Sequence, residues 1–271
     1  MMVGRNSAFG LLIGAAVGTF SLIPDHGSAQ DPLATACSYL SSESPLDELT
    51  RCAEQGLAGA QFSLGFKYDG GDGIPEDNAE AVRWYRQAGE QGYPAAQFIL
   101  GLMYANGDGV PEDDAEAVRW FRLVGEQGDA APQFILGTIY ANGDGVPKDD
   151  AEAVHWYRLA AEQGHATAQS NLGLMYDNGD GIPENNAEAV RWYRLAAEQG
   201  HATAQSKLGL MYHNGEGVPE DLAFAYMWYD LSAAQGNQIA RENKDIIEQR
   251  MTSGQIAEAQ RLSREWIETH P

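Results

Sequence analysis

Apolar residues recur with helical spacing along the central part of the chain. The block of residues 57–92 contains two apolar sets separated by a polar segment: Ala60, Leu64, Gly65 and Tyr68, then Ala81, Trp84, Tyr85 and Ala88. Successive members of each set are mostly three or four residues apart, and neither set alternates as the residues of a β-strand would. Each set therefore predicts an amphipathic α-helix with one buried face.

The segment between the two predicted helices has the composition of a turn followed by a helix start. Residues 70–76 read Gly-Gly-Asp-Gly-Ile-Pro-Glu, in which glycine permits positive φ angles and proline stops a helix. Asp77 is expected to cap the second helix, with Glu80 three residues later completing a capping box. Gly92 suits the left-handed residue that follows a helix. The block is therefore predicted to be a helix–turn–helix unit.

This unit repeats every 36 residues. Its fixed positions include a glycine in the first helix and a tryptophan in the second: Gly65, Gly101, Gly137, Gly173 and Gly209, and Trp84, Trp120, Trp156, Trp192 and Trp228. A period of about 20–50 residues indicates repeats that stack on their neighbours, with the large aromatic residues filling the space between them. Such a protein offers a long surface rather than an enclosed pocket, so the periodicity favours binding over catalysis.

The repeated residues resemble a known family pattern. Residues 168–200 fit A-x-x-x-L-G-x-x-Y-x-x-G-x-G-V-P-x-D-x-x-x-A-x-x-W-x-x-x-A-A-x-x-G, with Ile182 in place of the valine and Asn185 in place of the aspartate. This pattern is similar to the Sel-one-like repeat (SLR), a relative of the tetratricopeptide repeat (TPR). The resemblance implies an α/α solenoid that acts as an adaptor between proteins, and it supplies no catalytic residues. Five copies are predicted, at 57–92, 93–128, 129–164, 165–200 and 201–236.

The predicted fold class is all-α: an α/α solenoid of five helix–turn–helix repeats between two helical caps. Residues 30–56 are expected to form the N-terminal cap, because their last six residues resemble the end of a repeat. Residues 237–271 are expected to form a C-terminal cap of two helices, with Trp266 packed on the last repeat. Caps of this kind replace the missing neighbour of a terminal repeat with a more polar surface.

The first 29 residues have the features of a signal peptide. Arg5 supplies a positive charge, residues 8–23 are mostly apolar, and Gly27-Ser28-Ala29 resembles a cleavage site. The apolar stretch is short and rich in glycine for a membrane span, although an uncleaved anchor is the alternative. We therefore expect an exported protein, periplasmic in a bacterium, with secretion as the second choice and no membrane attachment after cleavage.

The chain contains two cysteines, Cys37 and Cys52, and both lie in the predicted N-terminal cap. An isolated pair in an oxidising compartment suggests a disulfide bond, which here would join the two parts of the cap. The alternative is a pair of buried thiols. The spacing of the two cysteines does not match a zinc site.

The charge balance limits the choice of partner. The chain has 39 acidic and 17 basic residues, a formal net charge of −22 and a pI near 4.4. Nucleic acids and anionic membranes would be repelled by this charge. We therefore expect a protein or peptide partner, with a basic partner favoured by the acidic loops, and a monomeric scaffold.

No catalytic, metal or cofactor residues are predicted. The loops that contain Asn106-Gly107-Asp108-Gly109 have glycines where a calcium loop needs oxygen ligands, and His165 and His201 alone are too few for zinc. The alternative function is a hydrolase of cell-wall or β-lactam-type substrates, suggested by some cysteine-rich relatives. The chain has no Ser-x-x-Lys motif of the penicillin-recognising kind. The sequence therefore favours a non-enzymatic protein.

The resemblance to TPR proteins predicts where a partner binds, because in such solenoids the first helix of each repeat lines the binding surface. Two columns of residues flank the Leu-Gly pair of that helix: Phe62, Phe98, Phe134, Ser170 and Ser206, and Phe66, Leu102, Thr138, Leu174 and Leu210. The candidate partner-binding residues are the apolar members in the first three repeats: Phe62, Phe66, Phe98, Leu102 and Phe134. The alternative is that the phenylalanines pack between neighbouring first helices.

Overall fold

The computed structural model describes residues 44–270, which form thirteen α-helices and no β-strand. The first helices of the five repeats are α2 (Ala58–Gly70), α4 (Pro94–Asn106), α6 (Ala130–Asn142), α8 (Ala166–Asn178) and α10 (Ala202–Asn214). The second helices are α3 (Asn78–Glu90), α5 (Asp114–Gly125), α7 (Asp150–Glu162), α9 (Asn186–Glu198) and α11 (Leu222–Ala234). The remaining helices are α1 (Leu46–Glu54), α12 (Gln238–Glu248) and α13 (Ser253–Thr269). None of these thirteen helices is long and apolar enough to cross a membrane.

The chain divides into two compact units, at residue 148. In the first unit, the successive helices α1 to α6 pack on one another in chain order. In the second unit, the successive helices α7 to α12 do the same, and α13 packs on α11. The packing of consecutive helices within each unit, in a chain of five repeats, confirms the predicted fold class, an all-α repeat solenoid.

Glycine in the first helix allows an aromatic ring of the second helix to approach its backbone. A Cβ atom at Gly65 would lie 2.8 Å from Tyr85 Cδ1, and one at Gly101 would lie 2.6 Å from Phe121 Cε1. The five repeat tryptophans, predicted to be core residues, are all buried. The close contact of the two helices therefore accounts for the 36-residue recurrence of this glycine.

The helix ends follow the predicted signals, with one difference. The side chain of Asp77 accepts a hydrogen bond from Glu80 N at 3.0 Å, so the N-cap prediction is confirmed. The prediction that the Glu80 side chain accepts from the backbone N–H of Asp77 is wrong, because this N–H donates to Tyr68 O at 2.9 Å. The Glu80 carboxylate pairs with Arg83. Glycines follow the second helices at positive φ angles of 84–104°, as predicted: Gly92, Gly128, Gly164, Gly200 and Gly236.

A second loop glycine joins neighbouring repeats. Gly109 has a φ of +70°, and a Cβ atom there would lie 2.8 Å from Ala79 N and closer still to the carbonyl of Asn78. The loop of one repeat thus rests on the first turn of the second helix of the preceding repeat. Gly145 approaches Asp114 in the same way, whereas a Cβ atom at Gly73 in the first repeat would have no other atom within 4 Å.

The C-terminal cap covers the last second helix, α11. At the positions of the exposed Arg191 and Leu195 of the preceding repeat, α11 carries the buried Met227 and Leu231. Trp266 in α13 lies edge-on to Trp228, with ring centroids 6.2 Å apart. The predicted two-helix cap and the packing of Trp266 are therefore confirmed.

At the other end, only part of the predicted N-terminal cap lies in the described residues. Cys52 in α1 is fully buried in a cluster with Leu49, Leu64 and Trp84. Cys37 and the predicted signal peptide lie outside the described residues. The disulfide bond and the export signal stay predictions.

Candidate partner-binding face

The first helices expose one of the two predicted columns more than the other. In the second column, Phe66 is 46% exposed and Leu174 is 37% exposed. Leu102, Thr138 and Leu210 at the same register are half-buried. We call the surface around Phe66, Leu102 and Thr138 the first-helix face of the first unit, and the surface around Leu174 and Leu210 the first-helix face of the second unit. The side chains most available to a partner therefore lie two residues after Leu64 and its equivalents.

The first column contributes mainly to packing. Phe98 is buried against Phe121, with ring centroids 5.8 Å apart in an edge-to-face arrangement. Phe62 is half-buried, with ring centroids 5.6 Å from Tyr85 and 5.0 Å from Tyr93. Phe134 is half-buried, and the serines of the later repeats are buried. The phenylalanines thus fill space inside the repeats, and only part of their surface borders the first-helix face.

A buried glutamine network, which the sequence analysis missed, holds each first helix in place. Gln97 Nε2 donates to Gly89 O at 2.9 Å, and Gln97 Oε1 accepts from Gln127 Nε2 at 2.7 Å. Equivalent bonds to the preceding helix, which is the cap helix α1 in the case of Gln61, are made by Gln61, Gln133, Gln169 and Gln205. A satisfied buried amide fixes the relative position of the groups it joins. The 36-residue recurrence of these glutamines is the sequence signal that could have revealed the network.

Basic side chains of the second helices are bound to residues of the protein itself. Arg83 pairs with Glu80 and stacks over the Trp84 ring at 4.3 Å. A second arginine donates to the tyrosine hydroxyl of the next first helix: Arg86 to Tyr104, Arg122 to Tyr140, Arg158 to Tyr176 and Arg194 to Tyr212. These contacts link successive helices, and they pair arginine side chains of the second helices with residues of the protein itself.

The first-helix face itself is nearly neutral. Helices α2, α4, α6, α8 and α10 contain two acidic and two basic residues, which are Asp69, Asp177, Lys67 and Lys207. Both lysines lie beside a carboxylate, Lys67 at 3.7 Å from Asp72 and Lys207 at 3.9 Å from Asp177. Burial raises the pKa of Asp69, and the neighbouring carboxylates of Asp108 and Glu76 raise it further. About half of the excess negative charge of the chain lies in the loops at the carboxyl ends of the first helices.

Two histidines singled out in the sequence serve as helix caps. His165 Nδ1 accepts from Ala168 N at 3.2 Å, and His201 Nδ1 accepts from Ala204 N at 3.3 Å. Burial lowers the pKa of His201, and the nearby His165 lowers it further. Across residues 44–270, no three or more His, Cys, Asp or Glu side chains are grouped so that they could hold a metal ion. The geometry assigns these histidines to capping, a role that the sequence analysis did not consider.

Comparison with known proteins places these features in a family. The family model described as Sel1 repeat matches residues 58–93, 94–129, 133–165, 166–201 and 202–237, which is about two thirds of the chain. The chain belongs to the Sel1 repeat family. Sel1 repeat proteins are generally non-enzymatic scaffolds for protein interaction. A search among curated proteins found no match.

Two solved structures of Sel1 repeat proteins are similar to this chain. One is a protective antigen of uropathogenic Escherichia coli strains with an SLR fold, at 40% identity and a TM-score of 0.70. The match covers 83% of this chain but only 48% of the E. coli protein, so the chain spans about half the length of that relative. The other is a Sel1 repeat protein from Oxalobacter formigenes, at 36% identity and a TM-score of 0.62, covering 83% of this chain and 90% of that one.

Proposed function

We propose that this protein is a non-catalytic, exported scaffold that binds a protein or peptide segment through the first-helix face of either unit. The observation that carries the proposal is the exposure of large apolar side chains, Phe66 and Leu174, on helices whose other faces are buried. Exposed apolar side chains at one repeated register, on a rigid support, are typical of a recognition surface. The glutamine network described above supplies that rigid support.

The charge around the face supports a partner with both apolar and basic residues. The face is nearly neutral, so its contacts would be mainly apolar. The adjoining loops carry acidic residues, which in the first repeat are Asp72, Glu76 and Asp77. Helix carboxyl ends at the same edge also favour positive charge. Such a partner would be drawn to the edge by its charge and held on the face by its apolar side chains. We propose that the scaffold itself is a monomer.

The proposed location rests on the sequence of the first 29 residues alone. Cleavage after Ala29 would leave a mature chain that begins near Gln30. Expression of the full chain in a bacterium, followed by cell fractionation and N-terminal sequencing, tests this proposal. Recovery of the uncleaved chain in the membrane fraction would instead support the anchor alternative.

Peptide selection on the folded protein tests the binding proposal. A library of random peptides about 12 residues long, enough to cross several repeats when extended, is selected on immobilised protein. Selected peptides are then measured with Phe66→Thr and Leu174→Thr variants, which copy the threonine that Thr138 places at the same register. We expect at least one of the two variants to weaken each peptide about tenfold.

Leu195 provides a matched control for these variants. It lies in α9 and is 36% exposed, close to the exposure of Leu174, but it is outside the first-helix face. Leu195→Thr should leave peptide affinity within about twofold of the original. If neither face variant weakens any selected peptide, the proposal fails. The same preparation is tested with a chromogenic β-lactam, and turnover above that of unfolded protein would favour the hydrolase alternative.

A further inference from the structure

The first cap helix, α12, is built like the first helix of a repeat. Asn237 caps it by accepting from Ala240 N at 3.1 Å, at the register where His201 caps α10. Ala240 and Ile247 are buried, at the registers of the buried Ala204 and Met211. Helix α12 packs on α11 and also contacts α10. It therefore occupies the place that a sixth first helix would take in the second unit.

Helix α12 carries two exposed isoleucines, of which Ile246 is at the register of the first-helix face and Ile239 is seven residues before it. Ile246 is 54% exposed and follows Leu210 by 36 residues, and Ile239 is 67% exposed and follows Thr203 by 36 residues. Seven residues apart, they lie on the same side of the helix. A helix that only closes the end of a solenoid is expected to carry polar residues on its free surfaces. The role of α12 in covering the end of the solenoid therefore does not explain why these two isoleucines are exposed.

We infer that α12 extends the binding face of the second unit, with Ile239 and Ile246 contacting the same partner segment as Leu174 and Leu210. This inference rests on the proposed function. The occupant is an extended protein segment that carries several aliphatic residues with basic residues between them. It is one continuous segment, because the row Leu174, Leu210 and Ile246 continues one register from helix to helix.

Each step along this row is one repeat. Leu174, Leu210 and Ile246 follow one another at intervals of 36 residues on α8, α10 and α12, and α12 contacts α10. An extended segment that crosses these helices would place one aliphatic side chain on each member of the row in turn.

The charge at one edge of this row favours the basic residues. Leu174 and Leu210 lie about one turn before the carboxyl ends of α8 and α10, which lead into loops with Asp180, Glu184 and Glu216. The partial negative charge of each helix carboxyl end adds to these carboxylates. Lysine or arginine side chains of the segment would point to this edge, while its aliphatic side chains contact the row of leucine and isoleucine.

The test uses peptides that were selected on the original protein and that bind the Leu174→Thr variant more weakly. Their affinity is measured by fluorescence anisotropy for an Ile239→Thr/Ile246→Thr double variant and for Ile267→Thr. Threonine already occupies both registers, at Thr203 and Thr138, so the double variant keeps a side chain that the fold accepts. Ile267 in α13 is 53% exposed and lies off the face, which makes Ile267→Thr the matched control. Circular dichroism checks that each variant keeps its helix content and melting temperature.

We expect the double variant to bind at least about tenfold more weakly and Ile267→Thr to bind within about twofold of the original. We also expect the selected peptides to share several aliphatic residues with basic residues between them. Affinity that is unchanged in the double variant, for peptides that require Leu174, would overturn the role of α12 and leave the proposed function standing. If no selected peptide depends on Leu174, the inference about α12 fails. If none depends on Phe66 either, the proposed function fails as well.

Discussion

Substitution of the second loop glycine tests how neighbouring repeats are held together. In Gly109→Ala, the added Cβ would lie 2.8 Å from Ala79 N and closer to the carbonyl of Asn78, at a φ of +70°. Gly73 has a similar φ of +75°, but its Cβ would have no atom within 4 Å. The pair therefore separates the effect of backbone conformation from the effect of contact between repeats.

The two variants share one destabilising effect and differ in another. An alanine in the left-handed region destabilises the folded protein by about 1–2 kcal/mol. Alanine also restricts the unfolded chain more than glycine does, which offsets about 0.4–1 kcal/mol of that loss. Gly73→Ala should therefore lower the free energy of unfolding by about 1 kcal/mol. At Gly109 the clash is with backbone atoms, which cannot rotate away as a side chain can. Overpacking of this kind adds about 1–3 kcal/mol, so we expect about 2–4 kcal/mol for Gly109→Ala.

Urea unfolding followed by tryptophan fluorescence and by circular dichroism measures both variants under the same conditions. Each repeat contains a tryptophan, so the fluorescence reports on all five. The difference between the two losses, about 1–3 kcal/mol, is the quantity that the structure predicts. Equal losses in Gly73→Ala and Gly109→Ala would show that the loop does not rest on the preceding repeat as described.

Four further predictions concern other parts of the molecule. Gln97→Leu removes two side-chain hydrogen bonds, one to Gly89 O and one from Gln127 Nε2, each of which contributes about 0.5–1.5 kcal/mol, so urea unfolding should show a loss of about 1–3 kcal/mol. A loss of a few tenths would contradict the network. Because the pKa of His201 is lowered on folding, the unfolded chain takes up the proton first, and stability should fall as pH drops below about 6.5. In the His201→Asn variant, the midpoint of urea unfolding should depend less on pH than in the original protein. Because the Phe98 ring is buried against Phe121, Phe98→Ala should lower the free energy of unfolding in urea by about 3–5 kcal/mol. A much smaller loss, together with reduced peptide binding, would contradict the packing role. Intact-mass measurement should show that Cys37 and Cys52 react with an alkylating reagent only after reduction; alkylation of both beforehand would refute the bridge.

The helices could be predicted closely from the sequence because local residues decide where they begin and end. Asp77 caps α3, and Gly92 follows it in the left-handed region. Each signal acts within one turn of the helix, so no knowledge of the packing was needed. The fold class followed from the 36-residue period, because stacked repeats bring their equivalent residues together.

The parts that could not be predicted depend on contacts between distant residues. Glu80 was expected to bond the N-cap of its own helix, but the carbonyl of Tyr68 already accepts that N–H, and Glu80 pairs with Arg83. Gln97 looked like an ordinary polar residue, yet it is buried between two helices. Phe98, as a member of the candidate site, could be either core or surface, since its register alone does not fix which way the ring points.

The distribution of charge gives the proposed binding two separate contributions, which the net charge of the whole chain does not show. Arginines of the second helices are bound to neighbouring glutamates, tryptophans and tyrosines, and the first helices are nearly neutral. The acidic excess therefore acts from the loops, at the edge of the face. Salt screens such exposed charges beyond about 8 Å at physiological ionic strength, while apolar contact is screened little. Added salt should accordingly slow the association of a basic segment more than it speeds its dissociation, whereas loss of Leu174 should mainly speed dissociation.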